Sequence, residues 1–157
     1  MATRPLLFLD VDGVLNPFPD TPTGFDEYDF FQDDDEPVRL AAVHRDWLHD
    51  LTNAYDLVWA TGWAEEANRV LNPFFHLPSF PVVPLPEIPF EPSAKVPGIA
   101  LFAADRPAAW VDDMLTEEAR KWAAARRVPT LLIDVDSATG LTRPHVDRLL
   151  AWVAGLR

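Results

Sequence analysis

Short, continuous apolar runs alternate along this chain with longer segments whose apolar residues recur at helical spacing. Four of these runs predict β-strands, at residues 5–11, 56–60, 108–111 and 130–133. A run without polar interruptions is typical of a parallel strand that is buried on both faces of a sheet. The pattern therefore predicts a central parallel sheet.

The segments between these runs predict helices. The first is expected to begin at Pro37, because proline suits the first helical turn. Further helices are expected after Thr61-Gly62 to about Leu71, at 95–103, at 116–127 and from Pro144. Strands that alternate with helices indicate an α/β protein with a three-layer α/β/α, Rossmann-like fold. The length of 157 residues predicts one domain over 1–157.

Two segments do not fit this alternation. Residues 20–36 contain eight acidic residues, no basic residue and several aromatics, which predicts an exposed acidic flap or hairpin. Residues 73–92 contain seven prolines, so this stretch is expected to be a stiff surface loop.

The composition excludes several classes of protein. The chain has no cysteine, which rules out disulfides, cysteine-ligated zinc and a thiol nucleophile. Its formal net charge of −12 argues against a protein that coats nucleic acid. The apolar run before Asp10 is shorter than the core of a signal peptide. We therefore expect a soluble, cytoplasmic protein with no membrane partner, while the oligomeric state stays open.

Acidic and hydroxyl side chains stand where the predicted strands end. Asp10 and Asp12 follow the first strand, Thr61 the second, and Asp112 with Asp113 the third. Each feature alone is typical of an ordinary turn or helix cap. Because ligands of parallel sheets bind at the carboxyl ends of the strands, we expect these groups to share one crevice. Four carboxylates there would need a cation, and an oxygen-only ligand set favours Mg²⁺.

The stretch Leu-Asp-Val-Asp-Gly-Val-Leu-Asn, residues 9–16, resembles the first motif of the haloacid dehalogenase-like (HAD) superfamily. Thr61 resembles the second motif, Lys95 the third and Asp112-Asp113 the fourth, in the order the superfamily has them. The resemblance implies a HAD-like fold. It also implies phosphoryl chemistry, because relatives that cleave carbon–halogen bonds lack the second aspartate.

The resemblance assigns a role to each acidic residue. Asp10 would be the nucleophile that forms an aspartyl-phosphate, and Asp12 the general acid and base. The carboxylates of Asp10 and Asp112 and the backbone carbonyl of Asp12 would hold Mg²⁺, with Asp113 completing the ligand set.

The remaining roles concern the phosphate. Thr61 and the Gly62 amide would bind phosphate oxygens at a helix N-terminus, and Lys95 would add a positive charge. Arg69 and Arg106 remain alternatives for the third-motif cation.

Short connections between the motifs leave no room for a cap domain. Between Asn16 and Thr61 there are 44 residues, and between Lys95 and Asp112 only 16. The chain thus resembles the capless branch of the superfamily, whose sites are open. Residues 61–68 and 141–150 also resemble a HAD group associated with RNA-repair proteins.

Three functions follow as hypotheses. The first is a Mg²⁺-dependent phosphatase acting on a small phosphorylated substrate. The second is end processing of polynucleotides, for which Trp63 and the flap aromatics would stack on bases, although the acidic charge disfavours it. The third is a non-catalytic HAD-like binding module. The four histidines show no metal-ligand spacing and are predicted to lie on the surface.

Overall fold

A computed structural model describes residues 3–31 and 36–156 of the chain. The strands are β1 (Leu6–Leu9), β2 (Asp26–Tyr28), β3 (Val38–Leu40), β4 (Asp56–Trp59), β5 (Ala108–Asp112) and β6 (Thr130–Asp134). The helices are α1 (Val43–Thr52), α2 (Asn72–Phe74), α3 (Lys95–Ala103), α4 (Glu117–Ala125) and α5 (Arg143–Ala154). A π-helical segment, Ala67–Leu71, leads into α2, and a 3₁₀ turn, Pro92–Ala94, leads into α3.

The four apolar runs form one parallel sheet in the order β4-β1-β5-β6. Every residue of β1 is buried, as expected for a strand covered on both faces. Alternate residues of β1 belong to two cores: Leu7 and Leu9 to one, Leu6 and Phe8 to the other. The predicted α/β class with a central parallel sheet is confirmed.

Helices cover both faces of this sheet. Leu48 of α1 and Leu149 of α5 are buried in the same core as Leu7. Ile99 of α3 and Ala119 of α4 are buried in the core on the opposite face. The domain therefore has three layers, and no described helix is long and apolar enough to cross a membrane.

The segment after β1 differs from the sequence-based expectation. The first long helix begins at Val43, not at Pro37. Residues 38–40 instead form β3, which pairs antiparallel with β2 of the predicted flap and makes a two-stranded ribbon with it. Residues 32–35, which carry three of the predicted flap acids, lie outside the described residues.

The proline-rich segment 73–92 is mostly irregular, as its composition predicts. Its two ends are exceptions, because Pro73 lies in α2 and Pro92 begins the 3₁₀ turn. Within it, Val82 forms a single parallel bridge with Trp59 at the outer edge of β4. This bridge fixes one point of the segment to the sheet.

Candidate active site

The strand register brings the acidic strand ends together. Leu9 in β1 pairs with Trp59 on one side and with Val111 on the other. Since parallel strands end at the same edge of a sheet, Asp10 lies beside Asp112, one residue further along each strand. The position of these two carboxylates thus follows from the sheet topology.

Three carboxylates form a tight cluster at this edge. Asp10, Asp112 and Asp113 each offer an oxygen, and these oxygens all lie within 4.8 Å of one another. Asp10 is 7% exposed and Asp112 is 1% exposed, whereas Asp113 is partly exposed. The cluster is therefore mostly removed from water, which makes its negative charge costly.

Lys95 is the cation of this cluster. Its Nζ lies 2.6 Å from Oδ2 of Asp112 and 3.3 Å from Oδ1 of Asp10, and it donates a hydrogen bond to the Ala60 carbonyl at 2.9 Å. Burial alone would lower the pKa of the Lys95 ammonium, but the charges of Asp10 and Asp112 outweigh burial and raise it. Lys95 therefore stays protonated at neutral pH.

The two alternative cations lie elsewhere. Arg69 pairs with Glu66 on the surface. Arg106 pairs with Asp56, the first residue of β4, at the amino ends of the strands and thus away from the carboxylate cluster. Of the three cations that the sequence offers for this position, Lys95 alone contacts the carboxylate cluster.

Burial and mutual repulsion raise the pKa values of the clustered acids. Burial is the main cause at Asp10, and the pKa rises well above its usual value even though Lys95 opposes the shift. Burial and the neighbouring Asp112 raise the pKa of Asp113 to about 6. One lysine therefore does not balance the charge of three carboxylates.

A divalent cation would fit this cluster. The donors are carboxylate oxygens, which Mg²⁺ prefers, and they converge within one coordination sphere. A second positive group would also offset the repulsion that raises the two pKa values. Asp10, Asp112 and Asp113 are the residues that would hold the ion.

Asp12 is not part of this three-carboxylate cluster. Its side chain is exposed, and its Oδ1 accepts hydrogen bonds from the indole Nε1 of Trp63 and the amide of Asn16, each at 3.0 Å. The Asn16 Oδ1 in turn accepts a hydrogen bond of 2.7 Å from the Arg39 backbone amide in β3. The ribbon is thereby connected to the carboxylate of Asp12.

The second-motif residues lie directly after β4. Thr61 is 2% exposed, and its hydroxyl accepts a hydrogen bond from the Trp63 amide at 3.1 Å. Residues 62–64 form a turn, and the helical stretch that includes the segment Ala67–Leu71 follows this turn. A hydroxyl that accepts a hydrogen bond from the Trp63 amide still has its own proton with which to donate another.

Position 13 requires a glycine because the Asp113 side chain leaves no room for a Cβ there. Its φ is +81°, a conformation that side chains disfavour. A Cβ at this position would lie 2.1 Å from Oδ2 of Asp113. The glycine after Asp12 therefore makes room for the third carboxylate of the cluster.

One cavity of about 270 Å³, called here the acidic cavity, is lined by every site residue that the sequence predicts. These residues are Asp10, Asp12, Thr61, Gly62, Lys95, Asp112 and Asp113. A second cavity of about 570 Å³, called the aromatic cavity, has Phe31 and Trp63 in its wall. Asp12, Gly62 and Ile88 line both, so the two cavities adjoin.

The sequence did not predict the hydrogen bonds from Asn16 and Trp63 to Asp12. Both residues stand within the quoted motifs, but the role that the sequence suggested for Trp63 was stacking on bases, and it suggested none for Asn16. Of the aromatics expected to stack on a ligand, Tyr28 and Phe30 pack against Phe74 of the protein body instead. Among the described aromatics of the flap, Phe31 lines the aromatic cavity.

The stability of the metal-free protein is expected to fall as the pH rises from about 4 to 6. A free aspartate titrates near 3.9, so in this window the folded state, with raised pKa values at Asp10 and Asp113, binds more protons than the unfolded state. Allowing for its partial exposure, the loss due to Asp113 is about 1 kcal/mol. Magnesium ions should therefore raise the melting temperature more at pH 7.5 than at pH 5.

Differential scanning fluorimetry with and without Mg²⁺ at the two pH values measures this effect. Asp113→Asn should flatten the pH dependence, whereas Asp134→Asn, a change at the exposed end of β6, should not. An equal rise in melting temperature at both pH values would contradict the prediction.

Comparison with protein families gives a match over most of the chain. A family model described as the HAD domain in Swiss Army Knife RNA repair proteins matches residues 6–146. This range contains all the residues that line the acidic cavity. The chain matches no curated protein and no solved structure.

Proposed function

This chain belongs to the family of HAD domains in Swiss Army Knife RNA repair proteins, and from that premise we propose that it is a Mg²⁺-dependent phosphohydrolase of phosphomonoesters. One observation carries the proposal: three carboxylates and a buried lysine meet in the acidic cavity. A nucleophile, a cation and a set of oxygen ligands are what phosphoryl transfer requires.

In the proposed reaction, Asp10 attacks phosphorus and the bond between phosphorus and the leaving oxygen breaks. The Val11 amide donates to Oδ1 of Asp10 at 2.8 Å, and Lys95 lies on the same oxygen, so the carboxylate is held in one orientation. This fixed orientation lowers the entropic part of the barrier. The product of the step is an aspartyl-phosphate on Asp10.

Asp12 moves the proton in both halves of the reaction. It donates a proton to the leaving oxygen in the first step. It then takes a proton from the water that attacks phosphorus, which releases phosphate and restores Asp10. The hydrogen bonds from Trp63 and Asn16 fix the Asp12 carboxylate at the boundary of the two cavities.

The other cavity residues bind the phosphoryl group. The Thr61 hydroxyl donates a hydrogen bond to a phosphate oxygen, and Lys95 offsets part of the negative charge of the phosphoryl group. Asp10, Asp112 and Asp113 would hold Mg²⁺, which would supply Lewis-acid stabilisation of the charge on the transferring group.

Phosphate release from p-nitrophenyl phosphate tests the proposal. Chelation of the metal with EDTA should lower the rate by roughly 100-fold or more, and excess Mg²⁺ should restore it. Turnover that is unaffected by EDTA would contradict metal dependence. Retained Mg²⁺ binding with no turnover across a panel of phosphomonoesters would instead favour a HAD-like binding module.

End processing of RNA is the second candidate, and the family description favours it. A 3′-phosphorylated oligonucleotide would then be a better substrate than the corresponding mononucleotide. The comparison of kcat/KM for these two substrates distinguishes the candidates.

A further inference from the structure

The position of Asp12 shows where a leaving group would extend. Asp12 lines both cavities, with Asp10 and Lys95 on the side of the acidic cavity only. A general acid must lie within hydrogen-bond reach of the leaving oxygen. A substrate whose phosphate contacts Asp10 therefore directs its leaving group past Asp12 and into the aromatic cavity.

Part of the wall of the aromatic cavity is made of apolar side chains, two of them aromatic. They include Trp63, Phe31, Ile88 and Val38. The Phe31 ring meets the Trp63 ring edge-on, with centroids 5.3 Å apart and an angle of 72° between the planes. An arrangement of this kind favours a planar group that stacks on an aromatic side chain.

Exposed hydrophobic residues are concentrated around the same opening. Of the five large hydrophobic side chains that are exposed in the described parts of the chain, Phe18, Ile88 and Met114 line the acidic cavity. Ile88, which is 69% exposed, also lines the aromatic cavity. Apolar surface gathered at one opening is typical of a ligand-binding site.

The charges of the aromatic cavity exclude a second phosphate. Its ionisable lining residues are Asp12, Glu36 and Glu66, and no described Lys, Arg or His side chain lines it. Arg39 pairs with Glu36 and Arg69 with Glu66, so both nearby cations are already engaged. Among the described residues, Lys95 is the one cation that lines the acidic cavity, where the reacting phosphate belongs.

We propose that the aromatic cavity is the leaving-group site, and that it selects a flat, uncharged leaving group, such as an aryl alcohol or a nucleoside, carrying no second phosphate. This inference rests on the proposed phosphohydrolase function. It identifies Trp63 and Ile88 as specificity-determining residues that contact the leaving group.

Two substrates, one with a phenyl ring where the other has a methyl group, test the preference for a flat leaving group. 2-Phenylethyl phosphate and propyl phosphate both release primary alcohols, so their intrinsic reactivities are alike. The wild type should favour the aromatic ester in kcat/KM by about tenfold or more, chiefly through KM. Trp63→Ala and Ile88→Ala should each reduce that preference, and Trp63→Ala should reduce it below about threefold.

Two further variants separate stacking from the contact with Asp12. Trp63→Phe keeps a ring but loses the Nε1–H that binds Asp12, so it should keep the preference while lowering kcat for both substrates alike. Leu101→Ala removes a side chain that is 85% exposed on α3 and lines neither cavity, so it should leave the preference unchanged.

Hydrolysis of both esters without a preference would overturn the inference and leave the proposed function intact. If neither these esters nor p-nitrophenyl phosphate is hydrolysed, the proposed function fails, and calorimetry with 3-phenylpropylphosphonate and butylphosphonate decides the inference separately. Tighter binding of the aromatic phosphonate, lost in Trp63→Ala, supports a site for flat groups. Equal binding of the two phosphonates overturns it.

A nucleoside series tests the exclusion of a second phosphate. A nucleoside 3′-monophosphate should have a higher kcat/KM than the same nucleoside with phosphates on both the 3′ and 5′ positions. Its kcat/KM should also be higher than that of an oligonucleotide that ends in the same 3′-phosphorylated nucleotide. A preference for either of the more highly charged substrates would overturn this part of the proposal.

Discussion

Asp10→Asn is expected to reduce phosphate release to background, a loss of roughly 10⁴–10⁶-fold in kcat, because an amide cannot form the aspartyl-phosphate. The substitution keeps the size of the side chain and removes one of three clustered charges. We therefore expect the variant to fold. Initial rates with p-nitrophenyl phosphate and excess Mg²⁺ measure the effect.

The matched control for this variant is Asp134→Asn. Asp134 ends β6, pairs with Asp112 in the register of the sheet, and forms a surface ion pair with Arg120. The same chemical change there should leave the rate within about twofold, because surface ion pairs contribute little. A rate in Asp10→Asn within tenfold of the control would place the nucleophile elsewhere.

Lys95→Met is expected to lower the free energy of unfolding by about 3–5 kcal/mol at pH 7.5 without Mg²⁺. Lys95 is 7% exposed and lies on two carboxylates, Asp10 and Asp112, that are themselves buried. Removal of the ammonium leaves their charges uncompensated in an environment of low dielectric. Urea denaturation of the wild type and the variant measures the difference.

The second lysine of the chain is the control for this prediction. Lys121 is exposed on α4, so Lys121→Met should change stability by less than about 0.5 kcal/mol. Mg²⁺ or a pH near 4.5 should recover part of the loss in Lys95→Met, because either one reduces the charge of the carboxylates. Equal stabilities of the two methionine variants would show that the buried cluster does not depend on Lys95.

Local sequence patterns predicted the sheet and its acidic edge well. Each strand is a short apolar run, and a parallel sheet places the residues after such runs at one edge. The positions of Asp10, Asp112 and Thr61 follow from these two facts. The first helix was placed wrongly because Pro37 is compatible with a helix start, whereas the pairing of residues 38–40 with β2 depends on a contact distant in sequence.

The burial of His44 also depends on contacts that are distant in sequence. As a polar residue on a helix it was predicted to lie on the surface, yet it is 1% exposed. Its Nε2 lies 2.9 Å from the Leu141 carbonyl, and Phe25 of the flap packs against its ring. Both partners come from other parts of the chain, so the pattern of apolar and polar residues along α1 does not predict these contacts.

By itself, the sequence determined the parallel sheet, the acidic strand ends and the family of the chain, because these depend on local runs and short motifs. The tertiary structure alone decided that Lys95, and neither Arg69 nor Arg106, reaches the carboxylates. It also decided that Trp63 binds Asp12 across 51 positions of sequence and that an aromatic cavity opens beside them. Such contacts depend on how the loops after different strands pack against one another, and no local pattern of residue types encodes that packing.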